Sequence, residues 1–164
     1  MPPVKINRFK IWFYFSIIIW ILTLGSWVFY FISGSTVKST DSRTEIVLNT
    51  KQRDLILYEM RTLLESVNHI IDGVAEEDYA KVQANAKRAG MQLSEEINPV
   101  FMNKLPLSFK QLGVKVHKNF DNLAESIGEK PDPKMVLKKI GAITSSCVAC
   151  HSTYKLTVKD WGTH

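Results

Sequence analysis

The first long pattern along the chain is a run without charge. From Ile11 to Ile32 it reads IWFYFSIIIWILTLGSWVFYFI. As a helix rising about 1.5 Å per residue it spans roughly 33 Å, enough to cross a bilayer's hydrocarbon core. Trp12, Tyr14, Trp27 and Tyr30 lie toward its ends, where amphipathic rings favour the interface. A cleaved signal peptide is the alternative, with Ser33-Gly34-Ser35 as a passable cleavage site. Its apolar core would be only about 7–15 residues, so a retained anchor is the expectation. Either way, the chain beyond the run is exported.

Past Ile32 the period changes to that of amphipathic helices. Ile56, Met60, Leu63, Val67, Ile70 and Val74 step by four and three, one stripe of a helix from about 50 to 74. Leu57, Leu64 and Ile71 widen that stripe. Ser42 with Glu45 fits a capping box for an early start, and Asn49 or Thr50 suits a later one. Gly73 and Glu76-Glu77-Asp78 mark a turn. A second helix, 78–94, repeats the step through Tyr79, Val82, Ala86, Ala89 and Leu93, weakened at Gly90. Residues 95–105, with Asn98-Pro99, read as a loop. A third helix carries Phe109, Leu112, Val116, Phe120, Leu123 and Ile127, and Gly128 closes it. The stretch Glu129–Pro133 is a tight connection. Asp132 caps a fourth helix with Pro133 in its first turn; Val136, Ile140, Ile143, Cys147, Cys150 and Tyr154 line it to about Asp160. No useful polar-apolar alternation is visible. The expected fold is all-α: an antiparallel four-helix bundle over 49–160, a tether over 34–48, and a cytoplasmic tail with transmembrane anchor over 1–33.

Charge changes this picture little. The net charge is +5, but Lys5, Arg8 and Lys10 supply three positives before the apolar run. The other 154 residues hold 18 basic against 16 acidic side chains, interleaved, so nucleic acid is not an expected partner. The basic tail places the N-terminus in the cytoplasm and the rest across the membrane, which in a bacterium is the periplasmic side of the inner membrane.

Two cysteines cannot scaffold a domain this size, and both fall in Cys147-Val-Ala-Cys150-His151. Two thiols one helical turn apart can bond the two vinyl groups on one porphyrin edge, with His151 then held under the iron. A redox dithiol would sit at the start of a helix in a βαβ setting, and a zinc site would need a second ligand pair. One covalently attached haem c is the expected cofactor. For the sixth ligand Met60 stands out. It lies roughly 15 Å along the first soluble helix, matching His151 at roughly 13 Å from the end of an antiparallel fourth. His69 is about 13 Å too deep and off the stripe, while Met91, Met102 and Met135 lie elsewhere. The alternative is that Met60 only fills core space.

A motif on the last helix of a four-helix bundle resembles class II c-type cytochromes, cytochrome c-prime and its low-spin relatives, over about residues 50–160. Cys147-Val-Ala-Cys150-His151-Ser-Thr-Tyr154-Lys155 is similar to that family's ending. The resemblance implies Tyr154 and Lys155 beside the haem and, in low-spin members, a methionine like Met60 on the iron. It implies pairing of two copies through the first two helices. Arg53 precedes Met60 by seven residues, where the family has Arg-x-x-x-Met, and the anchor also departs from its pattern.

The expected function is one-electron carriage between redox partner proteins on the exported side, His151 and Met60 setting the potential. The alternative is a module that binds NO or CO at an open sixth site; a structural subunit ranks third. No nucleophile triad, phosphate loop or paired carboxylates suggest an enzyme. His117 reads as a surface or edge residue.

Overall fold

The computed structural model describes residues 8–95, 99–128 and 131–159. Of the residues that the sequence singles out, Lys5, Glu96, Asn98, Glu129-Lys130, Asp160 and His164 lie outside them. The described chain is mostly helical. Helix α1 (Arg8–Ser33) is long and apolar enough to span a membrane, and its side chains face outward along its length.

Strands β1 (Thr36–Lys38) and β2 (Thr44–Leu48) come next, then α2 (Thr50–Ala75), α3 (Tyr79–Arg88), α4 (Met91–Glu95) and α5 (Pro99–Met102). Helices α6 (Leu107–Glu125) and α7 (Pro133–Thr153) and strand β3 (Tyr154–Val158) complete the order. Helix α2 packs on α3, α3 on α6, α6 on α7, and α7 on α2.

Several boundaries obey the expected chemistry. Asn49 starts α2 through a capping box with Gln52, and the later of the two candidate starts is the one adopted. Asp78 caps α3 by accepting from Lys81 N–H, and Asp132 caps α7 by accepting from Lys134 N–H. Gly73 lies inside α2 rather than in the turn after it, and its lack of a side chain lets α3 approach: a Cβ there would stand 3.0 Å from Asp78 O and from the Val82 side chain. The second expected helix breaks into α3 and α4 at Ala89-Gly90, where Asp121 accepts the Met91 N–H at 3.0 Å. The 95–105 segment is not all loop, since it includes α5, and Phe101 there is buried.

The largest departure is a three-stranded sheet in order β1-β2-β3, where an all-helical domain and a free tether were expected. Residues 34–48 form its hairpin, with β1 antiparallel to β2. The fourth helix stops at Thr153, and the chain turns extended at Tyr154 to run parallel to β2. The sheet forms because Ile46 and Leu48 alternate inward and bury fully. On the other face Glu45 stands opposite Lys155, and their ion pair closes at 2.9 Å.

Two apolar clusters result. One gathers Ile70, Val82, Phe120, Leu123, Val136 and Ile143 between the helices. The other gathers Ile46, Leu48, Ile56, Phe101 and Leu105 under the sheet, with Met60 and Tyr154 against it. None of the three residues that widen the α2 stripe joins either cluster: Leu64 is 70% and Ile71 45% exposed, and Leu57 faces the hollow described below.

Candidate functional site

The chain leaves the first cluster at Ile143 of α7 and reaches the second at Tyr154, where β3 begins. Between them lie Cys147, Cys150 and His151. Residues three and four apart share a helix face, so the two sulfurs and the imidazole project together while Val148 stays 69% exposed. The Cys147 thiol points along the helix, donating weakly to Ile143 O at 3.6 Å.

Three adjoining cavities meet at this turn, and Met60 and His151 line all three. The first, about 270 Å³, brings together Met60, Cys150, His151, Tyr154 and Lys155. The second, about 100 Å³, adds Cys147, Glu59 and His117. The third, about 580 Å³, opens between α2 and α7 past Leu64 and Val148. Every residue expected at the site therefore lines the same hollow, whereas His69, Met91, Met102 and Met135 line none of the three. The walls are mostly apolar, as a pocket for a flat organic group requires.

The environment of the thiols separates the readings of a Cys-x-x-Cys pair. Burial pushes the Cys150 thiol up to about 11, helped by Cys147 beside it, and burial also raises Cys147. A dithiol built for exchange sits at a helix N-terminus, where its thiolate is favoured. This pair sits in the last turns of a 21-residue helix, at the negative end of its dipole. Both cysteines are free. Two unpaired thiols one turn apart, an imidazole four residues after the first, and an apolar hollow beside them match the donor set for a covalently held haem.

Tyr154 packs edge-to-face on Phe109 with centroids 5.4 Å apart, and its hydroxyl hydrogen-bonds the Ser108 hydroxyl. Lys155 is held by Glu45, whose pKa lies below its ordinary value because Lys155 and Thr157 hydrogen-bond it. The positive charge at Lys155 is thus matched locally.

The sequence pattern does not disclose three contributors. Arg43 donates to the His151 carbonyl at 3.4 Å and is fixed by a paired contact with Asp41, so it caps the end of α7 from the hairpin. His117 is no surface residue: it is 2% exposed, its Nδ1 2.8 Å from Ala89 O and its Nε2 2.7 Å from the Glu59 carboxylate. Burial alone would lower its pKa, but the Glu59 hydrogen bond, the backbone acceptors and the Glu59 charge outweigh burial and raise it. Glu59, beside Met60, is the third. No signal in the sequence marks Arg43, whose partner is 108 residues away. His117 had one, its place beside Val116 on the stripe that includes Phe120.

No family model, curated protein or solved structure matches the chain at the significance required.

Proposed function

We propose that this chain is a membrane-anchored, mono-haem c-type cytochrome of the class II kind, an antiparallel four-helix bundle that carries single electrons between redox partner proteins. The observation that carries this reading is one hollow lined by Met60, Cys147, Cys150 and His151, in a chain whose two cysteines both belong to Cys-x-x-Cys-His. Cys147 and Cys150 would hold the haem through thioethers, and His151 would ligate its iron. Each thiol would add across one vinyl double bond, its hydrogen passing to the neighbouring carbon, so attachment would require no oxidant. The haem supplies an iron that changes oxidation state by one electron.

The chain's own residues shape that chemistry. The apolar walls would limit water around the bound group, and a thioether from Met60 would favour the reduced iron and raise the potential. Arg43 holds the His151 carbonyl and Tyr154 closes the floor, which fixes the turn bearing the histidine. Helix α1 would span the inner membrane of a bacterium, with the globular part on the periplasmic side.

One observation favours the second reading, an NO- or CO-binding module. Met60 packs against the cluster of Ile46, Leu48, Ile56, Phe101 and Leu105, as a side chain that only fills space would. Absorption spectra of the ferric and ferrous protein, with and without CO, decide between them. Sharp low-spin bands that CO leaves in place, and that Met60→Ala converts to high-spin, are the expected result. A high-spin spectrum converted fully by CO, unchanged by Met60→Ala, establishes gas binding instead.

A further inference from the structure

The expected tether is absent in a way that matters for the membrane. Only Gly34 and Ser35 separate α1 from β1. Gly34 has φ +62, and a Cβ there would meet Lys104 O and Pro106 N, both at 2.6 Å. Only glycine allows that backbone so close an approach. The next residue continues the joint: Ser35 N–H donates to Lys104 O at 2.8 Å, and Val47 N–H donates to Ser35 O at 2.8 Å. The end of the anchor is therefore built into the sheet and into the segment that opens α6.

Lys110 completes the joint from α6. Its ammonium donates to Phe31 O at 3.4 Å and stands 4.1 Å from the centre of the Phe31 ring. Helix α1 has no basic residue in its own last turn. A cation is favoured beside the unpaired carbonyls at a helix C-terminus, and α6 supplies it. Phe31 belongs to the last turn of the apolar helix, so Lys110 sits at the depth where that helix leaves the hydrocarbon. Lys104 is exposed one short loop away. Residues 97–120 contain Lys104, Lys110, Lys115 and Lys118 and no Asp or Glu.

We infer that the globular part rests on the bilayer that holds its anchor, with Lys104 and Lys110 among anionic phospholipid headgroups. Charge complementarity and continuity with α1 both point to that occupant. The consequence is a fixed orientation. Phe109, next to Lys110 on α6, is a wall of the Met60–His151 hollow, so its mouth is held at a set height above the membrane. Partners come to a docked domain rather than meeting a swinging one. The inference rests on α1 spanning the bilayer and is independent of the haem.

The test uses the full chain in lipid nanodiscs, with a nitroxide carried on an unnatural amino acid at position 103. A second label at position 84, an exposed position of α3, is the control. Relaxation by oxygen, which concentrates in lipid, is compared with relaxation by a water-soluble nickel chelate. In phosphatidylglycerol-containing discs the oxygen-to-nickel ratio at 103 should exceed that at 84 severalfold. It should fall toward the value at 84 in neutral phosphatidylcholine discs, and in the Lys104→Glu/Lys110→Glu variant. Equal ratios at 103 and 84 in anionic discs, or a ratio at 103 indifferent to lipid charge, overturn the inference. The lipid exchange involves no variant, so a folding defect cannot mimic the result.

Discussion

The two ends of the globular part solve the problem of closing a core differently. At the helical end, α2, α3, α6 and α7 meet side chain to side chain, and Phe120, Leu123, Val136 and Ile143 are fully buried. At the sheet end, closure depends on a strand pairing between β2 and β3, segments on the order of a hundred residues apart. Between the ends, beside the His117–Glu59 contact, the hollow around Met60, Cys147, Cys150 and His151 is left. The helical end is complete from local pattern alone. The sheet end and the hollow are joined by the one turn of α7 that carries the haem motif, so on the proposed reading the haem is the missing piece of core.

The sharpest break in that comparison comes from withholding the haem. In cells unable to attach it, amide exchange in β2, β3 and α2 around Met60 should lose most of its protection, while α3 and the second half of α6 keep theirs. Uniform protection, or uniform loss, would show that the two ends are one cooperative unit indifferent to the hollow.

Next in size is Leu123→Ala at the helical end. Removing a fully buried isobutyl group should cost about 2–5 kcal/mol in urea unfolding of the holoprotein. It should leave the absorption spectrum in place, because Leu123 sits in the helical cluster and lines none of the three cavities.

His117 joins the ends, bonding Glu59 from α2 and the Ala89 carbonyl that closes α3. Its folded pKa is raised, so its contribution is fully present below the unfolded value of about 6.5 and is lost as pH rises through the folded value. The stability lost in His117→Gln should be largest below pH 6.5, about 1.5–3 kcal/mol for a charged hydrogen bond, and shrink above it. A difference that grows with pH would mean the ring is neutral in the folded state.

The smallest effect is expected at the sheet's ion pair. Lys155→Gln should lower the urea midpoint only slightly near neutral pH, because water screens a pair at the surface. Glu45 is held low, so its contribution is present above its unfolded value of 4.5 and is lost as pH falls through the folded one. A Lys155→Gln penalty unchanged at pH 2 would assign the effect to packing of the lysine stem.

What could be read in advance divides along the same line. The four amphipathic helices and the Cys-x-x-Cys-His turn are local patterns, and the starts of α2, α3 and α7 fall within a residue or two of their expected caps. The sheet was hidden because each strand is five residues or fewer and β2 pairs in parallel with a segment at the far end of the chain. Tyr154, Leu156 and Val158 alternate in the same sense, but continuing the helical period through Tyr154 masked them. His117 was misplaced because its burial depends on Glu59, 58 residues earlier. The docked anchor was unreadable for a similar reason: Gly34 is explained only by the backbone of Lys104–Pro106 lying against it.

The central claim is that Cys147 and Cys150 hold a haem covalently. The most direct test is the intact mass of the chain, purified from cells that carry out haem attachment and denatured before measurement. The account predicts the polypeptide mass plus one haem, with neither cysteine open to alkylation. A chain of unmodified mass, with both thiols alkylated or joined to each other, would contradict it.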